Sequence, residues 1–276
     1  MSVEYEQAVV TFLDILGFAE VVKKRTASEI KAMLDAIAET AAAQDFVSFS
    51  GGPATNILSF SDSVIRSRSY GGGAGENSLR VELDELAVAQ WLLVEHGIWL
   101  RGGMTCGAIH ISENRAFGPA FVRAYELESQ FANVPRIIVD PRLIHELRHN
   151  KMLWEPGSSV RGEIKATRRY LRQGDDGLWY VDYLTSLSRL LADAEEHLDG
   201  MRKHREMILL AAADLDENSR FFAKYSWLAR YHNTVCQELY RGIRDLKIGR
   251  KDMLFFDELL LPKITLSPPA LPTETI

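Results

Sequence analysis

Cysteine is almost missing from this chain. There are 2 cysteines in 276 residues, Cys106 and Cys236, and neither has a second thiol at metal-ligand spacing. That excludes a disulfide framework and a thiolate metal centre as organising devices, and both thiols are expected to be buried. Long apolar runs are missing as well. No stretch approaches the ~18 consecutive apolar residues of a membrane-crossing helix, and the N-terminus lacks a basic segment followed by an apolar one. A cytoplasmic protein without a membrane partner is the expectation. Basic excess is also absent: 32 Lys and Arg stand against 38 Asp and Glu, a net charge of −6. Nucleic acid is therefore not an expected partner, since binding its backbone calls for a basic face. A local positive pocket for a small polyanion is compatible with an acidic chain. No internal repeat occurs. The one glycine run, Tyr70-Gly71-Gly72-Gly73-Ala74-Gly75, lacks the Gly-Lys-Ser/Thr ending of a P-loop and reads as a loop.

What is present centres on Val9-Val10-Thr11-Phe12-Leu13-Asp14-Ile15-Leu16-Gly17-Phe18. A β-favouring apolar run ends in an acid, Gly17 follows, and an amphipathic helical pattern then starts. Unpaired N–H groups at such a turn can meet phosphate oxygens. A carboxylate there suits phosphate only if a divalent cation stands between them. A second acid, Asp62, sits at the bend between Thr55-Asn56-Ile57-Leu58-Ser59-Phe60 and Val64-Ile65-Arg66, a predicted hairpin. If the first strand and the hairpin are neighbours, both carboxylates reach one sheet edge. The plainer alternative is that Asp14 caps a helix and Asp62 merely turns a hairpin.

Periodicity predicts a helix over residues 19–44, a loop over 46–53, and a helix from Asn77 or Ser78 to about His96, ended by Gly97. A strand over 98–111 follows, interrupted by Gly102, Gly103 and Gly107. Glycines there imply close approach by a nucleotide or a partner subunit, or a bulge without a ligand. Gly118-Pro119 opens a helix to about Phe131, and residues 136–140 form a short buried strand. His145 and His149 have metal-ligand spacing but no third ligand nearby, and read as surface histidines. Residues 165–183 suggest a hairpin or sheet edge. Two long helices are expected over 184–213 and 219–246, the second with Trp227, Leu228, Tyr231, Val235 and Leu239 along a core or dimer face. The proline- and threonine-rich tail from residue 261 reads as extended or disordered.

Phe12-Leu13-Asp14-Ile15-Leu16-Gly17-Phe18 resembles the first metal motif of class III nucleotidyl cyclases, and Phe60-Ser61-Asp62-Ser63 the second. Arg101-Gly102-Gly103-Met104-Thr105-Cys106-Gly107 and the stretch Phe117-Gly118-Pro119-Ala120-Phe121-Val122-Arg123-Ala124-Tyr125-Glu126-Leu127-Glu128 are similar to later family segments. The wording is nearest to the pyrimidine cyclases of bacterial Pycsar anti-phage systems. The resemblance covers about half the chain, roughly residues 5–140.

It implies an α+β fold with a ferredoxin-like βαββαβ catalytic domain, assigned to residues 1–183; the two predicted long helices then make a helical C-terminal extension over 184–260, followed by the tail over 261–276. It further implies two Mn²⁺ or Mg²⁺ ions per site, held by Asp14, the Ile15 carbonyl and Asp62, and sites at a homodimer interface. The triphosphate would lie at Ile15, Leu16, Gly17 and Phe18. Purine cyclases carry a base-reading lysine where Leu58 stands, and an asparagine and an arginine where Val122 and Glu126 stand. That departure fits UTP ahead of CTP as substrate, with Phe49 or Phe60 against the base and Arg101 or Arg123 supplying catalytic charge. The implied activity is that of a phosphorus–oxygen lyase, a uridylate cyclase making cyclic UMP for a separate effector protein. An adenylate or guanylate cyclase, or a catalytically silent nucleotide-binding module, are the alternatives.

Overall fold

The structure, a computed structural model, describes residues 4–42, 55–70, 77–112, 114–215, 218–253 and 256. The loop predicted over 46–53 with Phe49, the glycine run from Gly71 to Gly75 and the tail from 261 lie outside the described residues.

The first strand, β1 (Glu6–Ile15), is buried along both faces, as its unbroken apolar run requires. Two helices follow, α1 (Phe18–Lys24) and α2 (Ala27–Ala42), where periodicity predicts one. The break is chemical. Glu29 accepts from Thr26 N–H at 2.7 Å while Glu29 N–H donates to Thr26 Oγ1 at 3.3 Å, a capping box that starts a new helix. The hairpin β2 (Thr55–Phe60) and β3 (Ser63–Ser69) comes next, then α3 (Ser78–Glu95) and β4 (Leu100–Ser112). Gly97, at φ 67°, closes α3 through Gly97 N–H to Val94 O and Ile98 N–H to Leu93 O, the paired bonds of a Schellman ending.

Strand β1 lies between β3 and β4, antiparallel to both, and β2 flanks β3. The resulting order β4-β1-β3-β2 is the ferredoxin-like βαββαβ arrangement within an α+β fold. Short strand β5 (Arg115–Phe117) pairs with β4, and α4 (Pro119–Glu126) runs into a π-helical turn over Leu127–Phe131. Past it, β6 (Ile137–Val139) adds parallel to β4. Helices α5 (Pro141–His149) and α6 (Val160–Thr167) lead to the edge hairpin β7 (Leu171–Gln173) and β8 (Trp179–Val181). Helix α6 has no counterpart in the sequence reading. His145 and His149 are both exposed.

The C-terminal segment holds α7 (Tyr183–Leu190), α8 (Ala194–Ala212) and α9 (Phe222–Leu239). The long helix expected from 184 is divided because Asp193 accepts from Glu195 N–H at 2.8 Å and caps a fresh start. Leu198, Met201, Leu228 and Val235 from these helices share one buried cluster with Leu16, Trp99 and Leu127. Of the expected α9 stripe, Leu228, Tyr231 and Val235 are buried and Trp227 packs on the same cluster, whereas Leu239 is exposed. Cys236 is fully buried and Cys106 half-buried, and both are free. Among the described residues no helix is long and apolar enough to cross a membrane.

Candidate active site

The alternation of β1 decides which side chains can meet. Val9, Leu13 and Ile15 join the cluster under α3, while Ala8, Val10 and Phe12 join a second cluster with Ala120 and Ala124 of α4. Asp14, two residues beyond Phe12, continues that second face past its apolar end. Its strand partners are Ser63 of β3 and Arg101 of β4. The hairpin tip, with Ser61 in the left-handed region at φ 54°, returns Asp62 to the same corner, and Ile15 N–H donates to Asp62 O at 3.2 Å. Asp14 and Asp62 are therefore brought together. Burial raises the Asp14 carboxyl above its ordinary range. Arg101 opposes that rise, and the Asp62 carboxyl beside it adds to it.

Arg101 is brought to this pair as well. Its Nε and Nη2 donate to Asp14 Oδ2 at 2.8 and 2.7 Å, and Nη2 lies 2.9 Å from Glu128 Oε1. Glu128 is a third acid that the sequence reading overlooks. Only 4% of its side chain is exposed, and it is pushed up to about 7 by burial, against Arg101 and aided by Asp14 and Asp62. A signal was available: Ala120, Ala124, Leu127 and Phe131 make the buried stripe of this helix, and Glu128 falls on it. Spacing of i, i+3, i+4 and i+7 from Ala124 carries both Leu127 and Glu128 inward.

Two of the glycines of β4, Gly102 and Gly103, serve packing within the chain, whereas an added Cβ at Gly107, at φ 144°, would make only ordinary contact with Ala120. A Cβ on Gly102 would stand 2.5 Å from Phe12 O, and one on Gly103 would run into Ala124 O and Leu127 Cβ. The close visitor is the protein's own backbone, rather than a nucleotide or partner, and Gly103 sets how near the helix bearing Glu128 can come.

The other candidates are placed as follows. Arg123 goes to Asp140, with Nε to Oδ2 at 2.8 Å, and to Glu126 at 3.5 Å, while Thr105 also donates to Asp140. Leu16 is buried and its N–H is spent on Trp99 O at 2.8 Å, so a phosphate at this turn would meet Gly17 and Phe18 instead. Gly17, at φ 77°, starts α1, and the half-buried Phe18 ring packs on the α3-side core. Leu58 is half-buried on the Phe12 face, and Phe60 is 80% exposed at the hairpin tip. Asn77 begins α3 without a side-chain cap; its carboxamide instead accepts from Arg80.

Helix α9 also reaches this corner. Phe221, the residue just before its first turn, packs on Gly17, where an added Cβ would lie 3.0 Å from the ring. Lys224 Nζ stands 5.3 Å from the centroid of the same ring, and Arg220 pairs with Glu20 at 3.6 Å.

Whether the donors suit a divalent cation turns on their chemistry. Among the described residues no three His, Cys, Asp or Glu side chains form a ready-made ligand set. Asp14 and Asp62 nonetheless offer two hard oxygen donors whose mutual repulsion a cation would relieve, and backbone carbonyls and substrate oxygens suit the remaining positions of Mg²⁺ or Mn²⁺. The donor set fits.

No protein-family model matches the chain, and no curated protein does. Among solved structures it is similar to the guanylyl cyclase domain of the RhoGC fusion protein from the aquatic fungus Blastocladiella emersonii, at 14% identity and TM-score 0.44, over 64% of this chain and 95% of that one. The guanylate cyclase domain of RhGC from Catenaria anguillulae in complex with GTP gives 12% identity and TM-score 0.42, over 65% and 98%. A bacterial light-regulated adenylyl cyclase gives 15% and 0.40, over 68% and 100%. At these values, what the site can do follows from its own side chains.

Proposed function

We propose that this protein is a nucleotidyl cyclase of the class III kind, with a pyrimidine nucleoside triphosphate, UTP ahead of CTP, as substrate. The observation that supports this is the meeting of Asp14 and Asp62 beside the Gly17 turn. In the reaction the ribose 3′-oxygen forms a bond to the α-phosphorus, the bond from that phosphorus to the β-phosphate oxygen breaks, and the hydroxyl proton is lost. The products are the 3′,5′-cyclic nucleotide and pyrophosphate.

Asp14, the Ile15 carbonyl and Asp62 would hold two ions, Mn²⁺ or Mg²⁺, which when bound lower the 3′-hydroxyl pKa and neutralise phosphate charge. Gly17 and Phe18 present backbone N–H groups to the polyphosphate. Arg101 neutralises Asp14 in the protein alone and stands where it can oppose negative charge near the α-phosphate. Arg123, held by Asp140, is the second candidate for that role.

Leu58, Val122 and Glu126 offer no purine reader, which favours a smaller base, with Phe60 free to stack on it. A homodimer is the proposed assembly. Phe60, Val122 and Tyr125 are 80%, 52% and 50% exposed, and Tyr125 lies 5.4 Å from Phe12 on the face that carries Asp14, so a second copy covering this face would bury them. A signalling role in anti-phage defence, through a separate effector, follows from the resemblance of the motifs.

A silent nucleotide-binding module is the second reading, favoured by one observation: Arg101 already satisfies Asp14. Incubating the protein with each of the four NTPs and Mn²⁺ tests both. Cyclic UMP or cyclic CMP as dominant product is expected, cyclic AMP or cyclic GMP would defeat the pyrimidine assignment, and no cyclic product would favour the silent module.

A further inference from the structure

The segment after β8 is held by a core of its own making and of the catalytic sheet's. Leu228, Ala229 and Val235 on α9 are fully buried, so the first turn of α9 is carried on a rigid support. That turn does not end in solvent. Phe221 lays its ring on Gly17, the residue at which β1 turns into α1. Two cations flank the ring, the Arg220 guanidinium at 4.9 Å and the Lys224 ammonium at 5.3 Å from its centroid. Arg220 is mostly exposed and has a partner in Glu20. Lys224 differs. It is half-buried, and among the described residues it makes no ion pair, although Asp14, Glu128 and Arg101 are all near enough to influence it. A half-buried ammonium loses hydration, and the Phe221 ring and the more distant Asp14 and Glu128 offset that only in part, so burial still lowers Lys224 from its ordinary value.

We infer that the C-terminal helical segment completes the polyphosphate side of the site, Lys224 supplying a cation for the β- and γ-phosphates and Phe221 positioning it against the Gly17 turn. This rests on the cyclase reading above. The charges agree with it. Asp14, Asp62 and Glu128 stand on one side of the corner with Arg101 among them; with Asp14 and Asp62 given over to the proposed ions, the Gly17 turn offers the β- and γ-phosphates backbone N–H groups alone unless a side-chain cation faces it from elsewhere. The position where purine cyclases place a helical arginine holds Glu126 in this chain, which is ion-paired to Arg123. Lys224 adds positive charge from a different element, and because α9 is packed into the core, that charge is held in place before the substrate arrives.

The test uses the full chain with Mn²⁺ and the non-cyclising α,β-methylene analogues of UTP and ATP, with UMP and AMP as competitors that lack the β- and γ-phosphates. Lys224→Met should weaken binding of the triphosphate analogue about tenfold, equivalent to about 1.4 kcal/mol, and leave the monophosphate's competition unchanged. Lys224→Arg should bind within about threefold of the unmodified protein, since it keeps the charge. Lys224→Gln serves as the second neutral variant, and thermal melting checks that each variant is folded. If the unmodified protein binds an analogue and both neutral variants bind it equally well, the inference is overturned while the cyclase reading stands. Equal weakening of triphosphate and monophosphate would make Lys224 a structural residue and also overturn it. If neither analogue binds the unmodified protein, both the inference and the cyclase reading fall.

Discussion

Asp14 and Asp62 are acids in places where a stable sheet has little use for them. Asp14 is raised by burial and by its neighbour, so its removal relieves strain in the folded protein while taking a ligand from the proposed ions. Asp14→Ala should therefore melt no lower than the unmodified protein, and both it and Asp62→Ala should lose about two orders of magnitude or more in turnover, as losing several kcal/mol of charge stabilisation implies. Wild-type turnover in either variant would sink the metal assignment. Gly103 makes the opposite case, a residue whose importance is purely steric. Gly103→Ala would drive a Cβ into Ala124 O, and its cost should match or exceed the about 1–3 kcal/mol of ordinary overpacking because backbone cannot rotate away. Chemical denaturation would measure it, and an unchanged midpoint would refute it. Asp14 and Asp62 were legible in the chain because each is marked by its immediate neighbours, a strand end with a following glycine and a hairpin bend. Glu128 was legible only as an acid on a buried helical stripe, its meeting with the two acids depending on the close approach Gly103 permits, and Lys224 was not legible, since it depends on a helix more than 200 residues beyond the turn it reaches.

Helices and strands carry a second lesson in the buried ion cluster between β3 and α3. Arg66 pairs with Glu82 at 2.8 Å and with Glu85, Arg68 reaches both acids, and Thr11 donates to Glu82 at 3.0 Å. Arg66, Arg68 and Glu82 are at most 2% exposed. Glu82→Gln would leave two guanidinium groups short of charge, and breaking a buried pair in this way should destabilise by about 3–5 kcal/mol. Glu82→Gln combined with Arg66→Met should recover part of that loss. Additive destabilisation in urea titrations would count against the coupling. Charged residues on an amphipathic helix or hairpin read as solvent-facing, and nothing local says otherwise. The same limit explains the helix boundaries. The capping box at Thr26 and the cap at Asp193 are written in the sequence but were overridden there by continuous apolar periodicity, whereas Gly97 was read directly because glycine alone tolerates the left-handed ending at low cost.

Taken entire, the protein should be sensitive to acid through its C-terminal helices. His204 and His232 stack with centroids 5.1 Å apart, His204 is bonded to Tyr183 and His232 to Leu246 O, and His197 bonds Leu184 O. Burial lowers all three, His232 to about 4 and His204 well below its ordinary value. Their native form is neutral, so the stability they confer is complete above the unfolded pKa near 6.5 and is lost as pH falls from there toward 4. His232 alone should account for on the order of 3 kcal/mol across that window. Melting temperature followed from pH 7.5 to 4.5 should drop, less so in His204→Gln; an equal slope in that variant would assign the acid lability elsewhere. For the proposed dimer, Phe60→Asp with Val122→Asp should shift the sedimenting species toward monomer, while a monomeric unmodified protein would end that proposal. What the chain carried in readable form was local: the strand that ends in Asp14, the hairpin at Asp62 and the glycine that ends α3. These depend on neighbours a few residues away, where backbone sterics and hydrogen bonding act directly. What only the folded protein decided was long-range: that Arg101 and Glu128 join the two acids, that Arg123 goes to Asp140, and that α9 brings Phe221 and Lys224 to Gly17. Such meetings are set by how sheet and helices bury a common core, and the sequence around any one of these residues does not name the partners that burial brings to it.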